Sequence, residues 1–305
     1  MAYRLKSGEP VPQGVKRIAA EETRRAADLL SRATAATRDE AIHEARKSVK
    51  KTRALLRLMR PEIDGVYRRE NTRLRNIGRR LSAYRDRAVI IETFDDLKRK
   101  YQGELKGVTL ASIRRGLVRN KREQQRGANL RTALQRIAAA LRSAAGRAAR
   151  WPLEADGFEA LEPGLTATYR RARRAMAVVR AHARPEHCHE WRKRAKDHWY
   201  DIRLLEGVWT EETKACEKSL KDLETALGDH HNLEVLKGTL AAHPAAYGPR
   251  EDIDLCLVLI ERYQKDLLES ALTLGARVYQ ERPAQFRTRL LLQLVRQFGG
   301  YETPK

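Results

Sequence analysis

Cationic side chains recur at helical spacing in the stretch from His43 to Arg60, HEARKSVKKTRALLRLMR. The stretch contains seven Lys or Arg and one acid, Glu44. Solvated helix faces ordinarily mix both signs of charge, because pairs four residues apart then stabilise the helix. A line of like charges instead indicates a surface that binds a polyanion. At about 100° per residue, one stripe of such a helix carries six residues: His43, Arg46, Lys47, Lys50, Arg53 and Arg57.

The same arrangement recurs 146 residues later, where HEWRKRAK at 189–196 repeats HEARKSVK at 43–50. The offset continues without a gap, so that Arg57 corresponds to Arg203 and residues 81–90 correspond to 227–236. A register kept over nearly fifty residues indicates a tandem duplication. The second stripe has its own histidine and cations: His189, Arg192, Lys193, Lys196 and Arg203.

The doubled pattern resembles a known family. A His followed by Arg, Lys and Lys at helical spacing, a Leu-rich segment and then Leu-x-x-x-Arg-Asp-x-x-Val resembles the CHAD domain, the conserved histidine α-helical domain. The resemblance covers about residues 3–298 and is strongest at 42–60, 81–90, 189–205 and 227–236. It implies two four-helix bundles related by pseudo-twofold symmetry, with a basic central surface or pore that binds inorganic polyphosphate. His231-Asn232 stands where the family often has Arg-Asp, the pair that the first repeat carries at Arg85-Asp86.

The candidate polyphosphate ligands combine the two stripes with cations of the neighbouring predicted helices. Lys51 lies at the edge of the first stripe, where a solvated side chain is the alternative. Trp191 and Trp199 lie off the basic face and are predicted to be core residues. The full candidate set is His43, Arg46, Lys47, Lys50, Arg53, Arg57, Arg79, Arg85, His189, Arg192, Lys193, Lys196, Arg203, His231, Arg25 and Arg171.

Apolar residues recur at helical spacing through most of the chain, and no segment alternates as a strand does. We therefore predict an all-α fold, with a first bundle at 1–155 and a second at 156–305. The boundary follows from Trp151-Pro152, Gly157 and Pro163-Gly164. Asp39 is the expected N-cap of the helix that carries the first stripe. The other expected helices are 13–35, 64–83, 85–100, 161–182, 210–228, 229–242, 249–281 and 283–299.

Residues 106–150 form an unusually basic stretch, with twelve Lys or Arg and a single acid, Glu123. Their order favours one long helix or two helices broken near Gly127. Two interpretations remain open for this stretch: an Arg-rich solvated face, or an extension of the anion-binding surface.

Linear polyphosphate offers charge but neither bases nor sugars, so Lys and Arg donors must recognise it. A cation every three or four residues of a helix places donors about 5–6 Å apart, a spacing that can follow a row of phosphates. His43 and His189 begin the two stripes and can donate to phosphate. The alternative for each is a histidine that is hydrogen-bonded within its bundle.

Catalytic and metal-binding motifs are incomplete in the sequence. His-Glu-x-x-His is broken by Lys47 and Lys193 at its last position, and neither a GxxxxGK[ST] loop nor a Glu-x-Glu-x-Lys motif occurs. The stripes lack the carboxylates that hold metals for phosphoryl transfer. The expectation is a binding protein without catalytic activity, metal or cofactor. The alternatives are a nucleic-acid-binding protein and a polyphosphate hydrolase or phosphotransferase.

Composition agrees with a polyanionic partner, because 62 Lys and Arg against 40 Asp and Glu give a net charge of +22. Nucleic acid is expected only as a weaker competitor of polyphosphate. Three widely spaced cysteines do not form a disulfide framework. Neither a signal peptide nor a run of 18 apolar residues is present. The expected location is the cytoplasm, including polyphosphate granules, with no membrane partner.

Overall fold

The computed structural model describes residues 3–105, 110–126, 130–206 and 211–298, with side chains except at 85–87, 124–126, 158, 211–213 and 293–298. Within these ranges the chain forms α-helices and one short 3-10 helix, Pro244–Ala246, and no strand. The all-α prediction is confirmed. The α-helices are α1 Val11–Ser31, α2 Arg38–Leu58, α3 Arg60–Lys100, α4 Ala111–Arg126, α5 Leu130–Ala148, α6 Gly157–Ala181, α7 Pro185–Leu204, α8 Glu211–Ala242, α9 Arg250–Val278 and α10 Pro283–Phe298.

Helix α2 buries the face opposite its cationic stripe, as its periodicity predicts. Ala45, Val49, Thr52, Leu56 and Met59 are all at most 2% exposed. Burial of this apolar face is the main source of stability for a helix of this length, because helix propensity alone contributes little. The packing therefore turns the stripe away from the core.

Two expected helix breaks do not occur. Helix α3 runs without interruption through residue 84, and α8 runs through Gly228, where a helix end was predicted. A Cβ atom on Gly228 would lie 3.7 Å from Arg192 Nε, so this glycine packs beside α7 within an intact helix. A helical glycine costs about 1 kcal/mol relative to alanine, which tertiary packing can offset. The one kink in α3 lies at Ile63 instead, where φ is −123° and ψ is 35°.

One local assignment at a helix start was also wrong. Asp39 lies inside the first turn of α2 and accepts a hydrogen bond from Lys121 Nζ at 2.6 Å, rather than capping the helix. Pro163-Gly164 lies within α6, which begins four residues before the expected helix 161–182. The residue that caps α6 is Asp156, whose Oδ1 accepts hydrogen bonds from the Gly157 and Val11 amides at 2.7 Å each.

The two halves of the chain repeat the same order of helix neighbours. Helix α1 packs on α2 and α5, as α6 packs on α7 and α10, and α2 packs on α3 as α7 packs on α8. Each half contributes five α-helices within the described ranges, one more than the four expected for a bundle. The helix order is therefore consistent with the duplication seen in the sequence.

The buried core does not divide between the halves. One cluster of buried apolar residues joins α1, α2, α5, α6, α7 and α10 with the first parts of α3 and α8 and the last part of α9. A second cluster joins α4 with the last parts of α3 and α8 and the first part of α9. Each cluster draws on both sides of residue 155, so neither half has a core of its own. The boundary at 155/156 remains a prediction about the repeat.

Close contacts tie the ends of α2 and α7 to the other half. The Leu5 amide donates to the Leu204 carbonyl at 2.8 Å. A Cβ atom on Gly164 would lie 2.0 Å from the Leu58 carbonyl oxygen, so only glycine permits this crossing of α6 over the end of α2. These contacts set where the stripe of α2 stands relative to α7.

None of the described helices has the length and apolar character that a bilayer crossing requires.

Gly164→Ala should destabilise the protein by about 1–3 kcal/mol, because the added methyl group collides with backbone rather than with a flexible side chain. Gly146→Ala in α5 is the matched control, because a Cβ there meets nothing within 4 Å and alanine favours the helix. Urea denaturation of both variants tests the crossing. Equal stability of Gly164→Ala and the wild type would contradict it.

Candidate functional site

Helices α2 and α7, with parts of α3 and α8, line an open cleft of about 860 Å³. Both cationic stripes face this cleft, as the sequence predicts for a paired surface. Twelve of the sixteen candidate ligands line it: His43, Arg46, Lys47, Lys50, Arg53, Arg57, His189, Arg192, Lys193, Lys196, Arg203 and His231.

The remaining four candidates are not placed in the cleft. Arg79 is exposed on α3 and is not among the lining residues. Arg25 donates to Glu44 at 3.0 Å, and Arg171 donates to Thr168 Oγ1 at 3.2 Å. Helical spacing does not show which side of a helix its neighbours cover, so whether these three residues contact polyphosphate stays a prediction. The side chain of Arg85 lies outside the described residues.

The cleft is strongly cationic. Its described lining includes twelve Lys or Arg side chains and one carboxylate, Asp197. That carboxylate is already engaged, since Arg57 donates to Asp197 Oδ1 at 2.5 Å and so joins α2 to α7. A cluster of this kind attracts anions, because little negative charge within the cleft offsets it.

Carboxylates of other helices approach some of the cations, although the stripes themselves carry no acid. Lys196 forms a short ion pair with Glu224 of α8. Lys51, expected at a solvated edge, is only 8% exposed, and its Nζ donates to Glu22 of α1 at 2.6 Å. Lys51 therefore has a structural partner. These pairings join different helices, so the pattern within one helix does not predict them.

Lys50 stands at the centre of the cationic cluster. It is half-buried, and no hydrogen bond or ion pair joins its amine to another described side chain. Burial, with Lys196, Arg192 and Arg46 nearby, lowers the pKa of Lys50 to about 7. An anion bound beside this amine would stabilise its charged form and so offset the effects of burial and of the neighbouring cations.

Arg53 lies one turn further along α2. Burial and the nearby Arg57 lower the pKa of Arg53 to about 10. Its Nε donates to Asn71 Oδ1 at 2.9 Å, which orients the guanidinium toward the cleft wall formed by α3. Asn71 and its neighbour Tyr67 line the cleft, although the sequence showed no sign of either.

The histidines of the second repeat contribute hydrogen-bonding groups rather than charge at neutral pH. The rings of His189 and His231 lie 4.3 Å apart, and His189 Nδ1 has no hydrogen-bond partner within the described part of the chain. Burial, then Lys193 and Arg192, lowers the pKa of His189. Burial, then Arg192 and His189, lowers the pKa of His231 to about 3. His231 is therefore neutral where the family often has arginine.

Trp199 is buried in the core, as predicted, and it also lines the cleft. Three cations lie over its ring: Lys221 Nζ at 4.7 Å, Arg203 Cζ at 5.1 Å and Lys196 Nζ at 5.7 Å from the centroid. The ring is 9% exposed, so it holds these cations in place rather than offering an open face. Trp191, by contrast, is fully buried, as predicted.

The basic stretch 106–150 forms α4 and α5, with residues 127–129 between them outside the described ranges. Helix α4 and Lys98 of α3 line a separate depression of about 810 Å³, which shares no lining residue with the cleft. Arg114 there forms an ion pair with Asp95 at 2.9 Å, and Arg119 donates to the Ala246 carbonyl at 2.7 Å. None of the described residues of this stretch lines the cleft.

Among the described side chains, no group of three or more His, Cys, Asp or Glu is arranged to hold a metal ion. The chemistry available to the cleft is that of cationic and neutral hydrogen-bond donors.

The pKa of Lys50 predicts a pH-dependent stability. The unfolded chain keeps this proton up to about pH 10, whereas the folded protein loses it near pH 7. Folding therefore releases a proton between these values, and the free energy of unfolding should rise with pH by up to about 1.4 kcal/mol per unit. Lys50→Met should reduce the slope measured by urea denaturation between pH 7 and 8.5.

The exposed Lys47 is the control, and Lys47→Met should keep the wild-type slope. Equal slopes for the wild type and Lys50→Met would show that Lys50 is protonated throughout this range.

Three comparisons place the chain among known proteins. The sequence model of the CHAD domain matches residues 17–241. The fold is similar to the crystal structure of the CHAD domain from the plant Ricinus communis, with a TM-score of 0.63 and 16% identity over 92% of this chain and 96% of that one. It is also similar to PptA from Streptomyces chartreusis, with a TM-score of 0.59 and 17% identity over 90% and 100% of the two chains. No curated protein matches. Because the family model covers most of its length, this chain belongs to the CHAD family.

Proposed function

We propose that the protein binds linear inorganic polyphosphate in the cleft between α2 and α7, without turning it over. The observation that carries the proposal is the pair of facing cationic helices, which contribute eleven of the twelve Lys or Arg side chains of the cleft. Cations on successive helical turns can follow a chain of phosphates from both sides. Lys50, which forms no ion pair with another described side chain, and the neutral histidine donors favour an anion rich in acceptor oxygens.

Nucleic acid is the weaker candidate. Single strands bind through aromatic side chains on which bases stack, in addition to charge. In this cleft the ring of Trp199 is covered by cations, and Tyr200 is 3% exposed. Tyr67 also lines the cleft, but Arg60 Cζ lies over its ring at 4.9 Å from the centroid. The described cleft therefore offers many phosphate contacts and few open aromatic faces for bases.

Binding without catalysis follows from the shortage of carboxylates. Enzymes of phosphoryl transfer use acidic residues to hold the metal ions that neutralise the developing charge. The one carboxylate of the described cleft, Asp197, forms an ion pair with Arg57. We therefore propose a binding protein, which could be recruited to polyphosphate granules through this cleft.

A competition titration tests the proposal. Labelled long-chain polyphosphate is bound at about 0.15 M salt and challenged with duplex DNA, single-stranded RNA and heparin at equal total charge. Polyphosphate should persist against an excess of each competitor, and binding should weaken steeply with added salt as counterions are released. Displacement by nucleic acid at equal charge would instead favour a general polyanion-binding protein. Phosphate released in the presence of Mg²⁺ would contradict the absence of catalysis.

Lys50→Glu should weaken polyphosphate binding by about tenfold or more, because it replaces a central cation with an anion that repels phosphate. Arg174→Glu is the matched control, since it makes the same change of charge on an exposed part of α6 outside the cleft. Both variants should keep the helical content of the wild type by circular dichroism. Equal effects of the two substitutions would show that net charge, not the cleft, determines binding.

A further inference from the structure

The register of the two repeats holds in the folded protein as well as in the sequence. Positions 146 residues apart in α3 and α8 play the same structural role: Leu74 and Leu220, Ile77 and Leu223, and Leu81 and Leu227 are all at most 7% exposed. The cleft positions of the two helices can therefore be compared one by one.

At one position of this register the two halves differ, because the first has a glycine where the second has a carboxylate. Gly78 of α3 corresponds to Glu224 of α8. A Cβ atom on Gly78 would meet only Val49 Cγ1, at 3.6 Å, so the first half has open space where the second half has a carboxylate. The glycine is not required by its backbone conformation, since it lies inside a regular helix.

The carboxylate of Glu224 is buried among cations. Its side chain is 8% exposed, forms a short ion pair with Lys196 and accepts from Lys221 Nζ at 3.3 Å. Burial alone would raise the pKa of Glu224, but Lys196 and Lys221 hold it below its usual value. Glu224 is therefore an anion held against two lysines of the cleft, although it is not itself a lining residue.

Equivalent lysines of the two walls of the cleft, α2 and α7, therefore differ in their ion pairs. Lys196 corresponds to Lys50. Lys196 forms a short ion pair with Glu224, whereas Glu224 attracts the charge of Lys50 without an ion pair between them among the described side chains. Lys221 likewise has Glu224 as a partner. A bound phosphate can contact Lys50 directly, whereas at Lys196 it must compete with Glu224.

Resting on the proposed function, we propose that Glu224 is an internal counterion that competes with polyphosphate for Lys196 and Lys221, so that polyphosphate binds first beside Lys50. The carboxylate stabilises the folded protein without ligand, because it satisfies a buried ammonium group. It weakens binding at the second wall for the same reason. Glu224 thus sets the affinity of the cleft without itself contacting the ligand.

Removal of the internal anion tests this directly. Glu224→Gln keeps the shape of the side chain and should bind labelled linear polyphosphate about tenfold tighter than the wild type, while melting at a lower temperature. Glu251→Gln is the control, since it makes the same change of net charge at an exposed position of α9 that does not line the cleft. It should change the affinity by less than about twofold.

The reciprocal change gives an independent test. Gly78→Glu adds a carboxylate at the equivalent position of the first half, where there is room for it, and should weaken polyphosphate binding about tenfold. Gly146→Glu, at an open position of α5, is the matched control for the added charge. If Glu224→Gln fails to fold by circular dichroism, the Gly78→Glu comparison decides alone.

The outcomes separate this inference from the proposed function. A wild-type protein that does not bind polyphosphate overturns both. A wild type that binds, with Glu224→Gln no tighter than Glu251→Gln or Gly78→Glu no weaker than Gly146→Glu, overturns only the role of Glu224.

Discussion

The repulsion between cations on two facing helices is the constraint on which the rest of this structure depends. Two unit charges 4 Å apart repel by about 1 kcal/mol in water and by about 4 kcal/mol at the effective dielectric of a protein surface. The cleft assembles twelve such charges. Its helices must therefore be held in place by contacts behind the stripes, where apolar faces pack into a core shared by both halves.

The shared core explains why the two repeats do not behave as separate units. A single bundle could bury its own apolar face, but it could not hold a second cationic helix opposite the first. The crossing of Gly164 over Leu58, the bond from Leu5 to Leu204 and the ion pair of Arg57 with Asp197 all join the halves close to the cleft. These contacts oppose the separation that charge repulsion would cause.

Selective neutralisation then distinguishes cations that stabilise the fold from cations that remain available to a ligand. Lys51 is satisfied by Glu22, and Lys196 by Glu224. Lys50 has no ion-pair partner among the described side chains. Burial and the neighbouring cations disfavour its charged form, and its pKa is lowered for that reason. The two walls are similar through the repeated pattern, and positions such as Gly78 and Glu224 make them unequal. A bound polyanion would neutralise the cations that have no carboxylate partner among the described side chains. It would thereby remove the unfavourable repulsion between them.

The sequence by itself determined the helical fold, the family and the two stripes, because each depends on spacing within one helix or on the repeat. It could also show that Arg46 and Lys50 share a face, since 100° per residue is a local property. Only the tertiary structure decided that Lys51 is buried against Glu22, that Trp199 lies under three cations and that Arg79 stands outside the cleft. Those facts depend on which helices approach one another. These contacts arise from packing between residues far apart in the chain, and the periodicity of one segment cannot predict them.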